Sequence, residues 1–178
     1  CLIAESEHPT KSDADGFVTT LHEASGTVAE FTHRFCKKHK LKLVFASRGY
    51  GEFSIKRKEE KKFYKKYLKN YNFKPIRSRN KYSTYIYIMK SRVVIGSNTT
   101  AVREALGLNR KILHCSFSGF GGFDYPSKFK FSLNKNSYAI FEKELLKILA
   151  MSNQKYFKVL GKEKNLIMYR CDKTLGLI

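Results

Sequence analysis

The sequence predicts an α/β domain with a doubly wound, mostly parallel sheet, and three observations lead there. Strand-like apolar segments alternate with amphipathic helical segments five or six times along the chain, the pattern of βαβ units. The clearest strand, Arg92 to Gly96, is continuously apolar at Val93-Val94-Ile95 instead of alternating, as expected of a parallel strand covered on both faces. At 178 residues, 42% of them hydrophobic, the chain has the length of one domain and enough apolar content for a sizeable core. Internal repeats, low-complexity tracts and linkers are absent, and runs such as Leu43 to Ala46 are far too short to span a bilayer.

The elements follow in order. Leu2 to Ala4 reads as a short strand, and a polar loop through Glu5, His8, Pro9, Asp13, Asp15 and Gly16 comes after it. Because the chain opens at Cys1 directly on this strand, it is expected to be part of something longer. Leu21, Ala24, Val28, Phe31 and Phe35 recur every three or four residues, so they predict an amphipathic helix that ends in the basic turn Lys37 to Lys40. Leu41 to Ser47 is a strand-former run broken by Arg48-Gly49-Tyr50-Gly51. A Lys-rich helix is expected near Glu59 to Tyr71, a short strand at Pro75 to Ser78, and a helix from Tyr82 to Lys90. After the strand at Arg92 to Gly96 come a helix from Thr100 to Leu108, stopped at Gly107-Leu108-Asn109, and a strand from Lys111 to Phe117. A Gly/aromatic loop then leads to a last short strand at Lys130 to Leu133. Helices at Tyr138 to Ala150 and from Gln154 to about Arg170 close the chain, the second as the start of a helical tail over residues 154–178.

The net charge of +20 first points to nucleic acid or an anionic membrane. The excess is mostly lysine, whereas readers of phosphate and base edges favour the bidentate fork of arginine, so nucleic acid is disfavoured as a partner. Half of the excess lies between Lys56 and Lys81. Within that stretch Phe63, Tyr64, Tyr67, Leu68 and Tyr71 recur at helical spacing and face inward. Lys61, Lys62, Lys65, Lys66 and Lys69 then share the wet face. This is a solvated helix face or, in the sharper alternative, a patch for a polyanion or a membrane surface.

Cysteines and histidines form no metal or catalytic pattern. Cys1, Cys36, Cys115 and Cys171 are scattered without a C-x-x-C pair, which fits reduced thiols in a cytoplasmic setting and predicts no structural zinc. His8, His22, His33, His39 and His114 make no paired ligand spacing, so no metal and no bound cofactor is expected.

In doubly wound sheets ligands bind outside the carboxyl ends of the strands, where loops enter helices. The turn after Val93-Val94-Ile95 reads Gly96-Ser97-Asn98-Thr99-Thr100. Gly96 permits a sharp turn, while Ser97, Asn98, Thr99 and Thr100 bring hydroxyls, an amide and the free N–H groups of a helix start. That combination suits a phosphate or diphosphate. Glu104, about one turn further, is placed to accept hydrogen bonds from a ribose diol. Ser, Asn and Thr are also the ordinary N-caps of any helix, and Glu104 can be an ordinary first-turn carboxylate.

Arg92 to Leu113 (RVVIGSNTTAVREALGLNRKIL) resembles the nucleotide-sugar-binding, C-terminal half of GT-B glycosyltransferases, and more closely the transferases of bacterial surface-carbohydrate (capsule and O-antigen-type) biosynthesis. The pattern is a buried strand, a small or hydroxyl turn, a helix carrying a Glu, then G-x-x-K-[IV]-L. A looser likeness extends from Leu41 to Tyr169. The resemblance implies a single Rossmann-like domain binding a nucleotide-diphospho-sugar, with the diphosphate on Gly96, Ser97, Asn98, Thr99 and Thr100 and the ribose on Glu104. Arg48, at an earlier strand end, would neutralise phosphate, whereas Ser118 and Gly119 would line the sugar or phosphate side. Ser78 and Arg79 would lie near the base. Family members often carry Ser-Gly-Gly at the helix start, where this chain has Asn98-Thr99-Thr100.

GT-B enzymes have two such halves, with the acceptor and usually the catalytic base on the N-terminal one. The resemblance therefore implies a donor-binding domain that works with an N-terminal domain and a glycan or lipid-linked acceptor. Its setting would be the cytoplasm, with peripheral association at the inner face of the membrane. Two alternatives stay open: a non-catalytic basic module binding polyanion or membrane through Lys56 to Lys81, and a sugar-nucleotide epimerase of similar architecture.

Overall fold

Five short strands, all of them paired in parallel, form the sheet, in the order β2-β1-β3-β4-β5. They are β1 (Leu2–Ala4), β2 (Val44–Ala46), β3 (Val94–Gly96), β4 (Ile112–Cys115) and β5 (Ser132–Leu133). The computed structural model describes residues 2–4, 17–46, 55–68, 83–97, 99–118 and 129–165. Between the strands run α1 (Phe17–Lys38), α2 (Ile55–Tyr67), α3 (Ser83–Lys90) and α4 (Thr100–Gly107), and α5 (Tyr138–Ala150) and α6 (Asn153–Leu160) follow β5. The chain is a mixed α/β, Rossmann-like fold, as its alternating pattern predicts.

The sheet is wound from its middle. Leaving β1 the chain moves to one edge at β2, whereas leaving β3 it moves the other way, to β4 and β5. Right-handed crossovers in opposite directions put their helices on opposite faces. Accordingly α1 packs beside α5, while α3 packs beside α4; α2, in the same crossover as α3, packs instead against α1. Every residue of β3 and β4 is buried, which is why these segments read as unbroken apolar runs.

Aromatic rings join α1 to α5. Phe31 meets the edge of Tyr138 at a ring separation of 5.5 Å and Phe141 at 5.6 Å, and the Arg34 guanidinium lies 3.9 Å from the Tyr138 ring centre. Glu142 receives both Lys38 (2.8 Å) and His39 (2.9 Å) from the end of α1, and these two donors hold its carboxyl below the usual range. On α2, Tyr64 and Leu68 are buried against Phe45 and Ala29, and Lys62, Lys65 and Lys66 are exposed. The inward stripe is present at Tyr64 and Leu68, with Phe63 and Tyr67 half-buried, and the wet face at Lys62, Lys65 and Lys66; Lys69 and Tyr71 and the side chain of Lys61 lie outside the described residues. The two helices come close at Gly26, where a Cβ would run into the Tyr67 ring.

Several boundaries differ from the sequence reading. The Lys-rich helix spans Ile55–Tyr67, starting and ending earlier than expected, and β2 is confined to Val44–Ala46. The last helix is interrupted after Leu160, where Gly161 takes φ +58 and its N–H donates to the Phe157 carbonyl; residues 163–165 are helical again, and the expected continuation to Arg170 lies outside the described residues. The strand expected at Pro75 lies outside the described residues. At the end of α4 the expected stop holds: Leu108 caps the helix and Asn109 adopts φ 56.

Two buried polar groups secure β4. Strand β5 begins only opposite His114, so the Ile112 peptide groups have no strand neighbour on that side. The Tyr156 hydroxyl of α6 replaces one: it accepts from the Ile112 N–H at 3.2 Å and donates to the Ile112 carbonyl at 2.9 Å. At the start of the same strand the buried Lys111 ammonium donates to the carbonyls of Ile148 (2.8 Å) and Met151 (2.7 Å), at the end of α5 where the helix dipole is negative. Burial lowers its pKa, and the nearby Arg92 and Arg110 lower it further.

Tyr156→Phe strands one buried N–H and one C=O, so we expect a loss of about 2 kcal/mol in urea unfolding with the fold retained. His114 gives a second prediction. Its Nδ1 lies 2.8 Å from the Ser132 hydroxyl, and burial, reinforced by the Arg103 charge, depresses its pKa to about 4. Between the ordinary value of 6.5 and about 4, the unfolded chain binds a proton that the folded chain excludes. The stabilisation, on the order of 3 kcal/mol, is therefore complete above pH 6.5 and disappears as pH falls toward 4. Melting temperatures across that range should show the slope, and His114→Gln should flatten it.

Candidate functional site

The strand order places the candidate site. Chain direction across the sheet reverses between β1 and β3, the position at which doubly wound sheets bind their ligands. β3 ends at Gly96, which pairs with His114 of β4, and the backbone then turns through Ser97 into α4. Gly96 and Ser97 are buried. Thr99 is the N-cap: it has extended backbone, and its hydroxyl accepts from the Ala101 N–H at 3.4 Å. Thr100 opens the helix and is exposed. No carboxylate lies in the first turn of α4, so its positive end is not neutralised locally.

The Ser97 hydroxyl turns toward α1, where its oxygen is 3.3 Å from that of Ser25, and both side chains are buried. Ser25 had no signal in the sequence. It falls between Ala24 and Val28 on the inward stripe of α1, and only the packing of α1 on β3 shows its partner. The contact ties the turn to the neighbouring layer.

Glu104 is half-buried and looks toward α3, where the Tyr85 hydroxyl donates to its carboxylate. That hydrogen bond and the negative charge raise the Tyr85 pKa. The next strand end brings Ser116 and Ser118, both buried, beside Phe117, whose ring stands edge-on to Phe31 at 6.0 Å. The structure thus brings Gly96, Ser97, Thr99 and Thr100 together at one strand end and Ser118 at the adjacent one. Glu104 lies lower on the same helix. Asn98, Arg48, Gly119, Ser78 and Arg79 lie outside the described residues.

Among the described residues no set of His, Cys, Asp or Glu side chains can hold a metal ion. Cys36 and Cys115 are buried free thiols, and burial raises both pKa values, so neither is poised as a nucleophile. No described helix is long and apolar enough to cross a membrane. The arrangement offers amide and hydroxyl donors at a helix start, the equipment for holding an anion by its oxygens.

No curated protein and no solved structure matches the chain. One family model, described as "putative O-antigen biosynthesis protein", matches residues 8–163. The match takes in every helix from α1 to α6 and the β3–α4 turn. The chain belongs to this family, which places it in surface-carbohydrate biosynthesis.

Proposed function

We propose that this domain binds the nucleotide-diphospho-sugar donor of a glycosyltransferase that builds a surface polysaccharide or a lipid-linked glycan. The observation that carries the reading is the turn from the buried parallel β3 into α4, at the reversal point of the sheet, with Thr99 as N-cap and no acid in the first helical turn. Diphosphate oxygens there would be held by backbone N–H groups, the helix dipole and the hydroxyls of Thr99 and Thr100. Glu104 would hold the ribose diol, with Tyr85 fixing the carboxylate. Membership in an O-antigen biosynthesis family supports a sugar-linked substrate.

Catalysis by such a domain is chiefly positioning of the donor and neutralisation of the departing diphosphate. On this reading the acceptor and the catalytic base are supplied by a second half, and the domain alone binds donor but transfers little.

Isothermal titration against UDP-, GDP-, CMP- and dTDP-sugars tests the proposal. At least one should bind, and Glu104→Ala should weaken it about tenfold or more, the cost of losing hydrogen bonds to a charged acceptor. Absence of binding by all four, or unchanged affinity in the variant, would sink the donor reading.

A further inference from the structure

The amino end of the sheet, away from the proposed donor site, carries a second surface. α3 buries Ile88 and leaves Tyr85, Ile86 and Met89 40%, 45% and 50% exposed. These three share an arc of about 100° at 3.6 residues per turn, with Met89 in the middle. α4 runs alongside in the same sense, since both helices lead back to the amino end of a strand. Tyr85 touches Glu104, so one turn further along each helix Met89 and Leu108, itself 40% exposed, stand at the same level. Ile86, Met89 and Leu108 thus face solvent on one layer, beyond the Tyr85 that bonds Glu104.

The end of this patch is cationic. Lys90 lies one turn from Ile86 on α3, and with Lys42, Arg92, Leu41, Val44 and Leu149 it lines a cavity of about 300 Å³. Among the described residues no carboxylate lines the cavity. Arg92 is held there by its bond to the Leu149 carbonyl at 3.3 Å, and Arg110 is fixed close by on the Ser91 carbonyl at 2.8 Å. A cavity of this size, lined by apolar side chains and by three cations, fits a phosphate-bearing headgroup.

We propose that the α3–α4 face docks on an anionic phospholipid bilayer, with a lipid phosphate at Lys42, Lys90 and Arg92 and with Ile86, Met89 and Leu108 in the acyl–headgroup boundary. Charge complementarity selects this occupant: exposed apolar side chains beside clustered cations are the paired signals that hold peripheral proteins on anionic membranes. The proposal is independent of the donor reading and of the lysine face of α2.

Sedimentation with vesicles tests it, using the full chain. The protein should partition onto vesicles of phosphatidylcholine mixed with phosphatidylglycerol and not onto phosphatidylcholine alone. The double variant Lys42→Ala/Lys90→Ala should lower the partition coefficient about thirtyfold, from ~1 kcal/mol for each lysine. Ile86→Ser/Met89→Ser should lower it about tenfold at unchanged salt dependence. The control Lys62→Ala/Lys65→Ala removes equal charge from α2 and should change it only a few-fold; melting curves of all three variants check the fold. Equal losses from the two lysine pairs would overturn the proposal, because attraction would then follow total charge. So would binding to neither vesicle, equal binding to both, or an unaffected serine variant.

Discussion

A parallel strand buried on both faces must pass every peptide N–H and C=O to a neighbour, and most of this structure answers that demand. β3 meets it by lying between β1 and β4. β4 meets it with β3 on one side and, on the other, with a strand too short to finish the task. The Tyr156 hydroxyl completes the ladder at Ile112, and this explains why a tyrosine, stacked on Phe131 at 4.1 Å, is fully buried in α6. Lys111 meets the same demand for the carbonyls at the end of α5. Both devices bring the C-terminal helices onto the sheet, so α5 and α6 are constituents of its core.

Periodicity made the architecture legible. Continuous apolar runs marked β3 and β4, three-and-four spacing marked α1, α2 and α5, and Gly107-Leu108-Asn109 marked the stop of α4, because these signals are local and agree with the tertiary packing. Ends were less legible where a distant group decides them: β2 keeps only the residues that find β1, and α6 yields to the backbone freedom of Gly161. The site divides in the same way. A hydroxyl-rich turn between a strand and a helix is visible in sequence, and Thr99 is the cap it promised. Neither Ser25 against Ser97 nor Tyr85 against Glu104 had a signal, because each pair joins residues of different elements and has no period.

The two ends of the sheet have different chemistry. Among the described residues at the carboxyl end, Thr99 and Thr100 bring hydroxyls to the start of α4, whose dipole provides positive potential. At the amino end, Lys42, Lys90, Arg92, Arg110 and Lys111 gather where helices finish, the place where cations oppose a negative dipole. Part of the positive charge thus sits where helix polarity favours it, while half of the excess lies in the Lys56 to Lys81 stretch that contains α2.

The close approach at Gly26 has a consequence for how the molecule can change over evolutionary time. α2 rests on α1 through a notch without a side chain, and its buried residues form a small cluster with Phe45 and Ala29, apart from the main core. A unit attached in this way can lose or gain surface lysines with little effect on the packing of the sheet. Substitution of those lysines leaves the β3–α4 turn untouched, whereas a side chain at Gly26 would meet the Tyr67 ring and disturb the seat of α2 on α1.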